Sequence, residues 1–171
     1  REHFLNTHLE TTSISEDKKH ADLVFRYQIS SIETSSSVYE IEISGSCKDS
    51  AIYHKTMITF TTGVIRFRVD DPVLWWPKGR GSADLYEIKI SILRDGVEID
   101  NNNFKYGIRS IKLNRTSITD ASGSGEFCFI INHEKIFILG TNWVPADVYH
   151  SRDRDRISDM LQLADDIGCN M

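Results

Sequence analysis

Leu23, Phe25, Tyr27 and Ile29 alternate with more polar neighbours through residues 21–29, and this two-residue period constrains the fold more than any other feature. Successive side chains of an extended strand point to opposite faces, so such a run buries one face and wets the other. The pattern returns in residues 38–43 (Tyr39, Ile41, Ile43) and 86–93 (Tyr86, Ile88, Ile90, Ile92). Shorter runs lie at 57–60 and 64–69, and a run at 104–113 closes the series. Ser35-Ser36-Ser37, Gly45, Thr62-Gly63 and Asp95-Gly96 separate them. Short strands at this spacing predict a mainly β chain folded as a two-sheet sandwich. Asp95-Gly96 between two strand patterns predicts a tight hairpin, because Gly takes the positive φ of such a turn at no steric cost.

The 171 residues suffice for one sandwich and part of a second domain. A net charge of −5 argues against general nucleic-acid binding. Arg152, Arg154 and Arg156 do not reverse that reading, since Asp153 and Asp155 between them cancel the field that phosphates need. Cys47, Cys128 and Cys169 form no CxxC motif and read as free, buried thiols. The six histidines form no i,i+4 pair, so neither a metal site nor a cofactor is expected. No apolar stretch is long enough to span a membrane. Arg1-Glu2-His3-Phe4-Leu5 offers neither an initiator Met nor a signal peptide, and both ends read as cuts within a longer protein. Asn114-Arg115-Thr116 is a glycosylation sequon, relevant in a secreted eukaryotic setting.

A different pattern follows the polar stretch at 120–125. Residues 127–131 and 135–139 are apolar and flank Asn132-His133-Glu134, which predicts a hairpin. The second arm is apolar on both faces, as in a strand buried within a barrel. Beyond Pro145 the period lengthens. Ile157, Met160, Leu161, Ala164 and Ile167 mark one face of an amphipathic helix, with Ser151 as its N-cap and Gly168 at its C-terminal end. Strand, loop and helix together read as a first βα unit. The expected organisation is a sandwich over 1–117 and the start of a barrel over 118–171.

The most specific segment is Gly140-Thr141-Asn142-Trp143-Val144-Pro145-Ala146-Asp147, directly after the apolar strand. Barrel active sites gather at the C-terminal ends of the strands. A sugar site needs an aromatic face for the pyranose C–H surface and directed hydrogen bonds for the hydroxyls. Asn142, Trp143 and Asp147 are therefore the candidate substrate-binding residues. The alternative is structural, with Trp143 packing under the loop and Asp147 stabilising the turn into the helix.

That segment resembles the β-mannosidase branch of glycoside hydrolase family two. Two upstream motifs share the resemblance. Asp71-Pro72-Val73-Leu74-Trp75-Trp76-Pro77, continued by Leu85-Tyr86, is similar to the family's P-x-L-W-W-P stretch. Phe104-Lys105-Tyr106-Gly107-Ile108-Arg109 resembles its F-G-I-R strand, with Tyr106 in place of Phe. The hairpin departs from the family's Asn-Gly by carrying Asn132-His133. The resemblance covers about residues 65–171, and residues 1–64 fit as generic sandwich strands. It implies an immunoglobulin-like sandwich followed by a truncated first βα unit of a (β/α)8 barrel. It further implies a retaining parent enzyme that removes terminal β-linked mannose from oligosaccharides, in a periplasmic, secreted or lysosomal setting. Both catalytic glutamates of the family lie on later barrel strands, so no catalytic residue is expected in this chain. For Trp75 and Trp76 the resemblance implies packing, and for Arg109 a hydrogen-bonded anchor. Two other readings stay open: a non-catalytic carbohydrate-binding or interaction sandwich, and a related β-galactosidase or β-glucuronidase.

Overall fold

The computed structural model describes residues 2–33, 35–116, 125–145 and 149–170. It divides into two compact units, Arg1–Trp75 with Asp84–Ser110, and Trp76–Ala83 with Ile111–Met171.

The first unit is a seven-stranded sandwich. Strands β1 (Phe4–Ile14), β2 (His20–Ile29) and β5 (Thr62–Asp70) form one antiparallel sheet in the order β1-β2-β5. Strands β3 (Tyr39–Cys47), β4 (Ser50–Ile58), β6 (Tyr86–Arg94) and β7 (Val97–Tyr106) form the other, in the order β4-β3-β6-β7. The chain changes sheet after β2, β4 and β5, which is the immunoglobulin-like arrangement. Leu23, Phe25 and Ile29 of β2 face Tyr39, Ile41 and Ile43 of β3 and Ile88, Ile90 and Ile92 of β6 across the core, all essentially buried. Each such side chain contributes roughly 1.5–3 kcal/mol by leaving water. The alternation in the sequence is thus the inner face of the sandwich.

The polar strands sit at the edges. β1 and β7 are linked across the gap between sheets. The Phe4 N–H donates to Asp100 Oδ2 at 2.8 Å, and Asn102 Nδ2 donates to Thr7 Oγ1 at 3.0 Å. Thr11 and Tyr106 share a hydroxyl–hydroxyl bond of 2.9 Å. These side-chain bonds cover the edge that a bare strand would offer to another chain. On the opposite side, the rings of His54 on β4 and Phe67 on β5 stack at 5.3 Å.

Tyr86, fully buried at the start of β6, is the pivot of the long connection from β5. Its hydroxyl accepts from the Val73 N–H and donates to Ser50 Oγ, both at 2.8 Å. A tyrosine at this strand start that bonds backbone upstream is a recurrent device of the immunoglobulin fold. Gly45 on β3 is dictated by the neighbouring strand, since a Cβ there would lie 2.6 Å from Ile88 Cδ1 and 2.9 Å from the Glu87 carbonyl.

The second unit contains a small sheet in the order β10-β9-β8, from β8 (Ile111–Arg115), β9 (Phe127–Ile131) and β10 (Glu134–Ile136). One helix follows, α1 (Asp153–Asp166). Several expectations need correction here. The run at 104–113 is two strands. β7 ends at Tyr106, and β8 pairs with β9 instead of joining the sandwich. Between the two strands Gly107 lies against Trp75 and Ile108 bridges Leu74, so the β6–β7 ladder stops there. The second hairpin arm is short, and beyond it Phe137 is 73% and Leu139 48% exposed rather than buried. Ser151 does not cap the helix. Arg152 occupies the N-cap without a side-chain bond. Of the three free thiols, Cys47 is buried, while Cys128 and Cys169 are half-buried. The expected helix end is present: Gly168 takes φ +87°. The Gly168 N–H donates to the Asp165 carbonyl at 3.0 Å and the Cys169 N–H to that of Ala164 at 2.9 Å, the paired bonds of a Schellman motif.

Both hairpins read from sequence exist, and the second is a residue tighter than expected, since Glu134 already pairs with Ile131. Asp95 and Gly96 take φ +53° and +80°, and Asn132 and His133 take +49° and +69°. The second turn keeps the same left-handed form without its glycine, which costs about 1–2 kcal/mol at a residue like His133. The sequon is committed to structure. Asn114 Nδ2 donates to Glu126 Oε2 at 2.7 Å, and the Thr116 hydroxyl accepts from the Glu126 N–H at 2.8 Å. No described helix is long and apolar enough to cross a membrane.

Candidate functional site

Two motifs that lie about thirty residues apart in sequence interlock within the first unit. Leu74 forms a parallel bridge with Ile108, and the Trp75 N–H donates to the Ile108 carbonyl at 2.9 Å. Ile108 is fully buried. Gly107 makes room for the indole: a Cβ on it would lie 2.9 Å from Trp75 Cβ and 3.0 Å from Cγ. Arg109 then lays its guanidinium over the Trp75 ring at 4.7 Å. This is a cation–π contact, worth about 0.5–2 kcal/mol, where the sequence implied a hydrogen-bonded anchor. Each residue of Tyr106-Gly107-Ile108-Arg109 thereby has a task. Tyr106 bonds Thr11, Gly107 yields space, Ile108 fills the core and Arg109 covers the indole. Trp75 is a packing residue.

Trp76 belongs to the second unit. Its N–H donates to the Ser82 carbonyl at 3.0 Å, and its ring leaves no room for a side chain at residue 81. Lys78, in the same segment, reaches the carboxylate and the carbonyl of Asp165. An ammonium there meets the negative end of the helix dipole.

Asn142 and Trp143 lie in a cleft against α1. Thr141, Asn142, Trp143 and Val144 form one wall of a cleft of about 190 Å³. Met160, Leu163 and Ala164 of α1, with Ile167 at its C-cap, form the other. Asn142 is exposed and Trp143 is 50% exposed where it lines the cleft. Asp147 lies outside the described residues. The cleft joins a hydrogen-bonding amide to an aromatic face, the two elements that a pyranose requires. Among the described residues no group of His, Cys, Asp or Glu could hold a metal ion.

Asn170 was not singled out by sequence reasoning. Its N–H donates to the Leu139 carbonyl at 2.8 Å, its Oδ1 accepts from the Leu139 N–H at 2.9 Å, and its Nδ2 donates to the Phe137 carbonyl at 3.0 Å. The chain leaving α1 therefore returns beside the segment that follows β10. A polar residue two positions beyond the glycine cap was the available signal.

A family model described as Glycosyl hydrolases family 2 matches residues 3–109, more than half of the chain. The chain belongs to glycosyl hydrolase family 2. The match starts well before residue 65, so strands β1 to β4 carry family character that the motifs alone did not reach. It ends at Arg109, the last residue of the interlock. β-Mannosidase B of Aspergillus clavatus is 37% identical to this family 2 chain over 100 residues, which are 58% of the chain and 12% of that protein. The fold matches the β-D-mannosidase from Dictyoglomus thermophilum with a TM-score of 0.78 at 24% identity, over 100% of this chain and 21% of that one. It matches the exo-chitosanase from Amycolatopsis orientalis with a TM-score of 0.67 at 20% identity, over 99% and 19%. The family 2 chain thus spans about an eighth of the length of its curated relative.

Proposed function

We propose that the protein containing this chain is a retaining β-mannosidase that removes terminal β-linked mannose from oligosaccharides. The 37% identity to a β-mannosidase over 100 residues carries the reading. Retention needs two carboxyl groups about 5–5.5 Å apart, one as acid/base and one as nucleophile. Family resemblance assigns both to glutamates on later barrel strands, beyond the 171 residues. This chain is the scaffold. Strands β1 to β7 serve as the sandwich, and the chain from Ile111 onward as the first hairpin, strand and helix of the catalytic barrel. The exposed Phe137, Leu139, Leu161 and Ile167 are the faces on which the remaining barrel would close. Asn142, Trp143 and Asp147 line the sugar subsite, with Trp143 under the pyranose ring and the polar pair on its hydroxyls.

The test is a ranking of kcat/KM for the intact protein on aryl β-mannoside, β-glucosaminide, β-galactoside and β-glucuronide. The mannoside should lead by at least tenfold. Preference for another glycoside overturns the substrate and retains the family.

A further inference from the structure

We propose that Asn170 is a positioning residue for Asn142 and Trp143, holding the segment after β10 that leads to them through a side-chain clamp on the backbone of Phe137 and Leu139. The inference rests on the reading that Asn142 and Trp143 face the sugar.

The geometry is specific. A carboxamide carries one acceptor and one donor in a single plane. At Asn170 the acceptor takes the Leu139 N–H at 2.9 Å and the donor reaches the Phe137 carbonyl at 3.0 Å. Those two backbone groups flank residue 138 just beyond the end of β10, and the Asn170 side chain bonds both. The backbone N–H of Asn170 adds a third bond, to the Leu139 carbonyl at 2.8 Å. An aspartate would lack the donor, a serine would offer one atom for two, and a glutamine would be a methylene too long.

Its place in the chain couples both walls of the cleft. Asn170 follows the Schellman motif that ends α1, so it is fixed to the helix carrying Met160 and Ala164. Leu139 lies three residues before Asn142. One side chain therefore sets the helix wall and the opposite wall relative to each other. Misplacing a binding group by about 1 Å costs up to about a hundredfold in rate.

The experiment uses the intact protein with Asn170→Ala, Asn170→Asp and Asn142→Ala, singly and combined. Asn170→Ala should lower kcat/KM on aryl β-mannoside by about 10–100-fold. Asn170→Asp, equal in size, should lose as much. Combining Asn170→Ala with Asn142→Ala should cost clearly less than the product of the single losses, because both act on one segment. Amide hydrogen exchange without substrate should be at least about tenfold faster over residues 137–143 in Asn170→Ala, with other segments unchanged. Should Asn170→Ala fail to fold, Asn170→Ser with its single hydroxyl should give an intermediate loss. Wild-type exchange over 137–143, wild-type activity in Asn170→Asp, or fully multiplicative losses would each overturn the proposal. If the wild-type protein prefers another aryl β-glycoside, the β-mannosidase reading fails and the same series on that glycoside judges Asn170.

Discussion

Replacing Tyr86 by Phe removes one hydroxyl from a fully buried position and leaves the ring in place. Two partners lose their bond at once, the Val73 N–H and the Ser50 hydroxyl, each 2.8 Å away. Ser50 is itself buried, and water has no ready route to replace the missing oxygen. Each bond is worth about 0.5–1.5 kcal/mol net, and a stranded buried group costs about 1–3 kcal/mol. The expected loss is about 2 kcal/mol. For a sandwich of about 100 residues that lowers Tm by about 8 °C. The assay is calorimetric unfolding of the chain, with Ser50→Ala and the double variant completing a cycle. Ser50→Ala in the Tyr86→Phe background should restore part of the loss, since it removes the stranded hydroxyl. A Tyr86→Phe shift under about 2 °C, or a strictly additive cycle, would refute the claim that this hydroxyl fastens the β5–β6 connection.

Gly107→Ala should destabilise the chain by about 1–3 kcal/mol in urea denaturation, because the new methyl meets Trp75 Cβ at 2.9 Å and the indole must shift. Stability should have two pH limbs. Hydrogen bonds from Arg68 and Ser13 hold the Asp22 carboxyl below its usual range, and Lys89 and Ser91 do the same for Glu98. Their contribution is complete above the unfolded values of about 4 and disappears as pH falls through the lower folded values. Burial pushes the phenols of Tyr86 and Tyr106 up. Their contribution is complete below the unfolded value of about 10 and is lost as pH rises through the higher folded values. Urea midpoints measured across pH should be flat between the limbs, and Asp22→Asn should shrink the acid one. Trp143→Ala in the intact protein should lower kcat/KM on aryl β-mannoside at least tenfold, whereas a near-wild-type value would return Trp143 to a packing role.

The sequence was most legible where one face of a strand is buried. β2, β3 and β6 stand out because the core imposes the two-residue period on Leu23, Phe25, Tyr39, Ile41, Ile88 and Ile90. β1 and the first part of β7 were silent, since edge strands bond through Thr7, Asn102 and Asp100 and need little apolar surface. β4 betrayed only its end: Tyr53 and Met57 are exposed, and of its apolar residues only Ile52 and Ile58 are buried. The interlock of Trp75 with Gly107, Ile108 and Arg109 was visible as two motifs but not as one contact, because spacing carries no information about crossover between distant segments. The helix face of Ile157, Leu161 and Ile167 was read correctly as a pattern, yet no helix residue is buried among these residues. Asn142 and Trp143, singled out by residue type and place after a strand, line the cleft against α1. Asn170 was missed because a single amide has no period.

The most direct measurement is turnover of an aryl β-mannoside by the intact protein and by the 171-residue chain side by side. The intact protein should hydrolyse it, and the isolated chain should give no rate above background. Turnover by the isolated chain would contradict its assignment as a scaffold without catalytic carboxylates.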